Sequence, residues 1–166
     1  MHFTSERRLD DGVLEREFTL GEIPGTLWTP ESSAPAPLIL MAHNNGLPKG
    51  EPRLVARARH SATCGYAVAT IDASGCGDRP RSADEEQARA GGYVPRAQRE
   101  EARQVTIPLL FLLQWDDEGN PRQRALELFD AFGTKEKTLH ANLGGHTGTP
   151  WFEVEDGNRF FGRHLK

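Results

Sequence analysis

The sequence predicts an α/β fold, and three observations carry that prediction. The apolar runs "LILMAH" (38–43), "YAVATID" (66–72) and "VTIPLLFLLQ" (105–114) are continuous rather than alternating, as in strands buried on both faces. Helix-forming stretches with recognisable ends lie between and after them. Each run gives way to a loop rich in small, polar or acidic residues, so element and punctuation alternate along the chain. At 166 residues the chain is long enough to bury a real core, and we expect one domain over 1–166.

Taken in order, "VLEREFTL" (13–20) mixes apolar and polar side chains and reads as an edge or second-layer strand. "GTLWTP" (25–30) is a second short strand closed by Pro30, and "ESSAPAP" (31–37) is a turn-rich connector. "EPRLVARARHSATCG" (51–65) has a proline near its start and a glycine after its last turn, which marks a helix. Lying between strands 38–43 and 66–72, that helix makes a βαβ unit, so the sheet is at least partly parallel. Segment 81–104 is charged, with few apolar anchors, and is expected to hold two short solvated helices broken at Gly91, Gly92 and Pro95. After strand 105–114 the spacing predicts a capped amphipathic helix over 120–133 and a strand over 135–142. A closing helix over 150–165 should turn Trp151, Phe152, Phe160 and Phe161 toward the sheet.

A net charge of -4 with scattered Lys and Arg argues against a nucleic-acid or anionic-membrane partner. The run "IPLLFLL" (107–113) is far too short to cross a bilayer. The first residues lack the apolar core of a signal peptide. Two cysteines do not make a disulfide framework, so a reducing, cytoplasmic setting is expected. Cys64, at a helix end, is expected to pack in the core.

In open α/β sheets function collects in the loops beyond the carboxyl ends of the strands. Four such loops carry chemistry here. "HNNGLPKG" (43–50) offers His43 and backbone N–H groups suited to stabilising a developing oxyanion. "DASGCGD" (72–78) holds Cys76 between two glycines. "WDDEGNP" (115–121) holds adjacent carboxylates, Asp116 and Asp117, and "LGGHTGTP" (143–150) presents His146. An acid after one strand and a histidine after the next can orient an imidazole as a general base. A metal reading through His43, His140, His146 and Asp117 lacks the close ligand spacing of a specific signal, and no metal or cofactor is expected.

On these residues the chain resembles the α/β-hydrolase superfamily, in its dienelactone hydrolase and serine esterase branch. "PLILMAHNNG" and "GYAVATIDASGCGDRP" are similar to the first third of that fold, and "IPLLFLLQWDDEGNP" followed by helix, strand and "GGH" to its last third. The resemblance implies a shortened hydrolase fold with a mostly parallel sheet of about six strands flanked by helices. It selects Asp117, four residues before Pro121, as the orienting acid, and His146 as the base. It places the oxyanion donors in the loop from His43, at the backbone N–H of Asn44 or Asn45.

One part of the family pattern is missing. No serine or cysteine lies in the G-x-S-x-G elbow that carries the nucleophile. The charged linker 81–104 stands in its place, as though on the order of 60 residues, or two strand–helix units, were absent. Cys76 is the candidate substitute nucleophile, although it lacks a strand-to-helix elbow. Two functions follow: hydrolysis of small esters or lactones, weak or absent without the elbow, or a non-catalytic remnant or shortened chain acting as a binding or scaffold domain. The gap either closes, with the acid-bearing strand pairing beside "LILMAH" through a crossover over 81–104, or leaves "LILMAH" or "PLLFLLQ" as an open edge, which implies a homodimer or domain swap through that edge.

Overall fold

The computed structural model describes residues 1–32, 34–43, 47–81 and 95–165, the side chains of 95–98 excepted. The chain divides into two compact units, Met1–Gly91 and Gly92–Lys166. Among the described residues no helix is long and apolar enough to cross a membrane.

The first unit contains β1 (His2–Arg8), β2 (Val13–Leu20), β3 (Ile23–Pro30), β4 (Leu38–Leu40), α1 (Pro52–Thr63) and β5 (Ala67–Ile71). Its sheet has the order β1-β2-β3-β5-β4. The β4–α1–β5 segment is the expected βαβ unit, with β4 and β5 parallel. Every other pairing in this sheet is antiparallel, so the sheet is mixed and not mostly parallel. The reason is local: β2 turns into β3 through Gly21 and Glu22 alone, and a connection that short can only reverse the chain. β1 was not foreseen, because every one of its side chains is exposed and no burial pattern marks it. The strand is held by its ladder to β2.

The core of this unit joins Val13 and Phe18 of β2, Trp28 of β3 and Val68 of β5 to Leu54, Ala58 and Ala62 of α1. The α1 residues recur at four-residue spacing and make one apolar stripe. Pro52 opens the helix, and the Glu51 carboxylate accepts the Leu54 N–H at 2.8 Å to cap it. Glu15 then ties four elements together. Its carboxylate accepts the Trp28 indole N–H at 2.7 Å and bonds to Arg59 at 2.8 Å and Arg7 at 2.5 Å. Cys64, expected in the core, is exposed instead, since α1 ends with that side chain turned outward.

A second carboxylate, Asp72, closes the loops beyond β4 and β5. It is fully buried. It accepts the Lys49 and Asp78 backbone N–H groups at 2.7 and 3.1 Å and the Lys49 ammonium at 3.1 Å. Burial pushes its pKa up, but these donors outweigh burial and hold it below the usual carboxylate range. Gly77 stands where a Cβ would lie 2.3 Å from the carboxylate, at φ +55°, so only glycine fits the turn.

The second unit contains α2 (Pro95–Ala102), β6 (Leu109–Gln114), α3 (Arg122–Ala131), β7 (Lys137–Asn142) and α4 (Phe152–Leu165). β6 and β7 form a two-stranded parallel sheet, in register from Leu109–Lys137 to Gln114–Asn142. The expected sheet of about six strands is therefore a sheet of five and a sheet of two. Phe111 packs on Phe129 and Phe132, with ring centroids 5.8 and 6.0 Å apart, which seats α3 on β6. The expected cap of α3 is at its far end. Pro121 makes no side-chain bond at the start, whereas the Lys137 ammonium donates to the carbonyls of Phe129, Asp130 and Phe132. In α4, Phe160 and Phe161 are half-buried, but Trp151 and Phe152 are about half exposed. The buried place in the first turn is taken by Glu153, a carboxylate with its own partners. Of the two helices expected over 81–104, α2 is one; the other lies outside the described residues.

Asp72→Ala should lower the unfolding free energy in urea by about 3–5 kcal/mol, because it removes the buried acceptor of two backbone N–H groups and leaves the part-buried Lys49 with only the exposed Asp78. Asp78→Ala, which removes the exposed partner of the same lysine, should cost no more than about 1 kcal/mol.

Candidate active site

The second unit brings together two of the residues singled out in the sequence. β6 and β7 are parallel, so the loops that follow them emerge at the same end of the sheet. Backbone bonds zip these loops side by side: Trp115 N–H to the Asn142 carbonyl at 2.7 Å and Asp116 N–H to the Gly144 carbonyl at 3.1 Å. Asp117 and His146 meet across that seam. His146 Nδ1 lies 3.0 Å from Asp117 Oδ1 and 3.1 Å from Oδ2. Asp116 is exposed, with its side chain in no such contact.

The Asp117 carboxylate is surrounded by donors. Oδ1 accepts the backbone N–H of Gly119 at 2.7 Å and of Asn120 at 2.9 Å, and Oδ2 accepts the Asn120 amide at 3.0 Å. The Asn120 amide bond, followed by the Gly119 N–H and His146, holds the group at a pKa of about 2 against some cost of burial. An ionised carboxylate can only accept, so the hydrogen in the contact belongs to His146 Nδ1. The neutral ring then carries its lone pair on Nε2. This is the tautomer a general base needs.

Residues that the sequence did not flag complete the geometry. Glu118 accepts the His146 backbone N–H at 3.1 Å, and a Cβ on Gly145 would come 2.9 Å from that carboxylate, so glycine permits the approach. Gln114 is buried at the end of β6, with its amide nitrogen 3.1 and 3.3 Å from where a Cβ on Gly144 or Gly148 would sit. The glycines in "LGGHTG" thus serve close packing against Glu118 and Gln114. The only sequence signal for Asn120 was its place three residues after an aspartate, the spacing of a side-chain turn.

His43 and Cys76 lie in the first unit. His43 Nε2 accepts the Ala73 N–H at 2.9 Å, which ties the start of its loop to the turn after β5. Asn44 and Asn45 lie outside the described residues. Cys76 is buried, with 4% of its surface exposed.

No protein-family model and no curated protein matches the chain. Solved structures do. A PEG-bound complex of a cold-adapted esterase from an Arctic intertidal metagenomic library is 23% identical over all of both chains, with a TM-score of 0.87. The native structure of a cold-adapted esterase from such a library gives 23% and 0.76, and a zinc-bound structure 24% and 0.75, again over all of both chains. The chain shares the fold of these structures.

The pH response of Asp117 follows from its donors. Its pKa is depressed in the folded state, so its contribution to stability is complete above the unfolded value of about 3.9 and is lost as pH falls toward 2. The Asp117 carboxyl carbon should titrate in NMR with a midpoint of about 2. In Asn120→Ala that midpoint should move up toward the ordinary value.

Proposed function

We propose that this protein is a carboxylic-ester hydrolase of α/β-hydrolase descent, in which Asp117 and His146 form the acid–base pair for small esters or lactones. The 3.0 Å contact between His146 Nδ1 and an ionised Asp117 carries the reading, because it leaves Nε2 as the proton acceptor. The likeness in fold to structures described as esterases supports it. In this reading residues 1–166 are one cytoplasmic hydrolase-like domain with 81–104 in place of the nucleophile-bearing units.

The nucleophile decides how much activity remains. A buried Cys76 presents no thiol to a substrate, so the group His146 can deprotonate is water. Nε2 takes one proton as the water oxygen attacks the ester carbonyl. The tetrahedral intermediate then collapses, and the proton returns to the departing alkoxide to give acid and alcohol. Hydrolases stripped of a triad member keep about 10³–10⁴-fold acceleration over water, which bounds what is expected here.

A second reading, a non-catalytic binding or scaffold domain, is favoured by one observation: the sequence has no G-x-S-x-G elbow. Turnover of a p-nitrophenyl ester with fluorophosphonate labelling separates the two. We expect slow turnover that His146→Ala abolishes, with no serine labelled. Absence of turnover above the buffer rate would favour the non-catalytic reading, turnover indifferent to His146→Ala would overturn the assigned base, and fast turnover with a labelled serine would show that a nucleophile had been overlooked.

We also assign a homodimer contact to the outer side of β4. That strand ends its sheet and exposes Leu38 and Leu40, the latter at 78%. Light scattering should report a dimer that Leu40→Lys converts to monomer; a monomeric wild type would remove the assignment.

A further inference from the structure

β7 carries another histidine, and it too meets a carboxylate. His140 Nδ1 lies 2.9 Å from Oε2 of Glu153, in the first turn of α4. The Glu153 side chain is only 3% exposed, and its other oxygen accepts the Asn142 amide at 2.7 Å. Asp156 follows three residues later on the same face of α4. One ligating atom from each of His140, Glu153 and Asp156 lies within 4.8 Å of the other two.

The Glu153 carboxylate has few donors. A buried carboxylate needs a cation or a full set of donors, yet the partners of Glu153 among the described residues are an amide and an imidazole. The nearby guanidinium of Arg159 is engaged with Oδ1 of Asp156. Neither guanidinium lining the adjoining cavity, Arg159 or Arg163, is hydrogen-bonded to Glu153.

We propose that His140, Glu153 and Asp156 form a divalent-cation site that clips β7 to the first turns of α4. One imidazole nitrogen and two carboxylate oxygens are the donor set of a zinc-type ion, and the imidazole argues against magnesium or calcium. Ligands at about 2.0–2.1 Å from a tetrahedral zinc stand roughly 3.3 Å apart. The His140–Glu153 pair needs only a small separation to admit the ion, and the oxygen of Asp156 that Arg159 does not hold swings in as third ligand. Asn142 fixes the Glu153 carboxylate from behind, the outer-shell support such sites use. The cluster opens on a cavity of about 500 Å³ lined by Leu110, His140, Asp156, Arg159, Gly162 and Arg163, which gives the ion an entry path and leaves its fourth position to water.

Calorimetric titration of the full chain with zinc chloride tests this, with magnesium chloride as control. We expect one zinc equivalent, no magnesium binding, and a melting temperature that rises with zinc concentration. His140→Ala and Asp156→Asn should each weaken binding at least about tenfold, and Asn142→Ala roughly ten- to hundredfold. Asp156 is part-exposed, so its variant reads out even if changes at buried Glu153 prevent folding. His146→Ala should leave the zinc equivalent in place. Absence of zinc binding, equal binding in the His140 and Asp156 variants, or loss of binding in His146→Ala would each overturn the proposal.

Discussion

The candidate site depends on the Asp117 carboxylate staying charged within a loop of only a few residues. Two backbone N–H groups and the Asn120 amide converge on it, so the loop after β6 is folded around the charge. Protonating the group would cost several bonds at once, which is why its pKa lies near 2. The tautomer of His146 follows from that charge. The Asn120 amide, 3.4 Å from His146 Nδ1, cannot compete for the ring, because both atoms are donors. The one acceptor between them is Asp117.

That arrangement explains why the site was more legible than the sheet that carries it. An aspartate and a histidine in the loops after successive parallel strands come close when the crossover helix keeps the strands in register: Leu110 pairs with Thr138, Asp117 lies seven residues after the first and His146 eight after the second. The resemblance to the hydrolase family selects Asp117 over Asp116 by its distance to Pro121. The structure accounts for that spacing physically: Asp117 needs Gly119 and Asn120 after it to supply donors before α3 begins. Glu118 and Gln114 were not legible, because their contacts are to backbone and glycine brought in from 28 or more residues away.

The sheet was misread where pairing is set by very short turns and where burial gives no pattern. β1 exposes all seven side chains and so has no period to detect. The apolar runs, by contrast, do form strands, but shorter ones and not buried on both faces: β4 keeps Leu38–Leu40 of a six-residue run and exposes Leu38 and Leu40. The aromatic residues of the closing segment misled in another way. A stripe of apolar residues predicts which face is buried only if no charged group has a better claim to the interior. Glu153 has that claim through His140 and Asn142, so Phe152 beside it is left exposed.

β7 and the loop after it thus present two histidines, each joined through Nδ1 to a carboxylate at about 3 Å, in settings that suit different chemistry. Asp117 is satisfied by amides, and its histidine is 47% exposed, so the imidazole edge facing outward can exchange a proton with a small molecule. Glu153 is more deeply buried, has fewer donors, and has a second carboxylate three residues away. An oriented base needs its acid neutralised by local hydrogen bonds so that the ring alone responds to substrate. A cation site needs the opposite: carboxylates left short of donors, with an entry path for the charge that will complete them. Asn120 supplies what the first pair requires, and the second pair has only Asn142, on one oxygen. The number of amide donors around each carboxylate therefore separates a pair built to move a proton from one built to hold an ion.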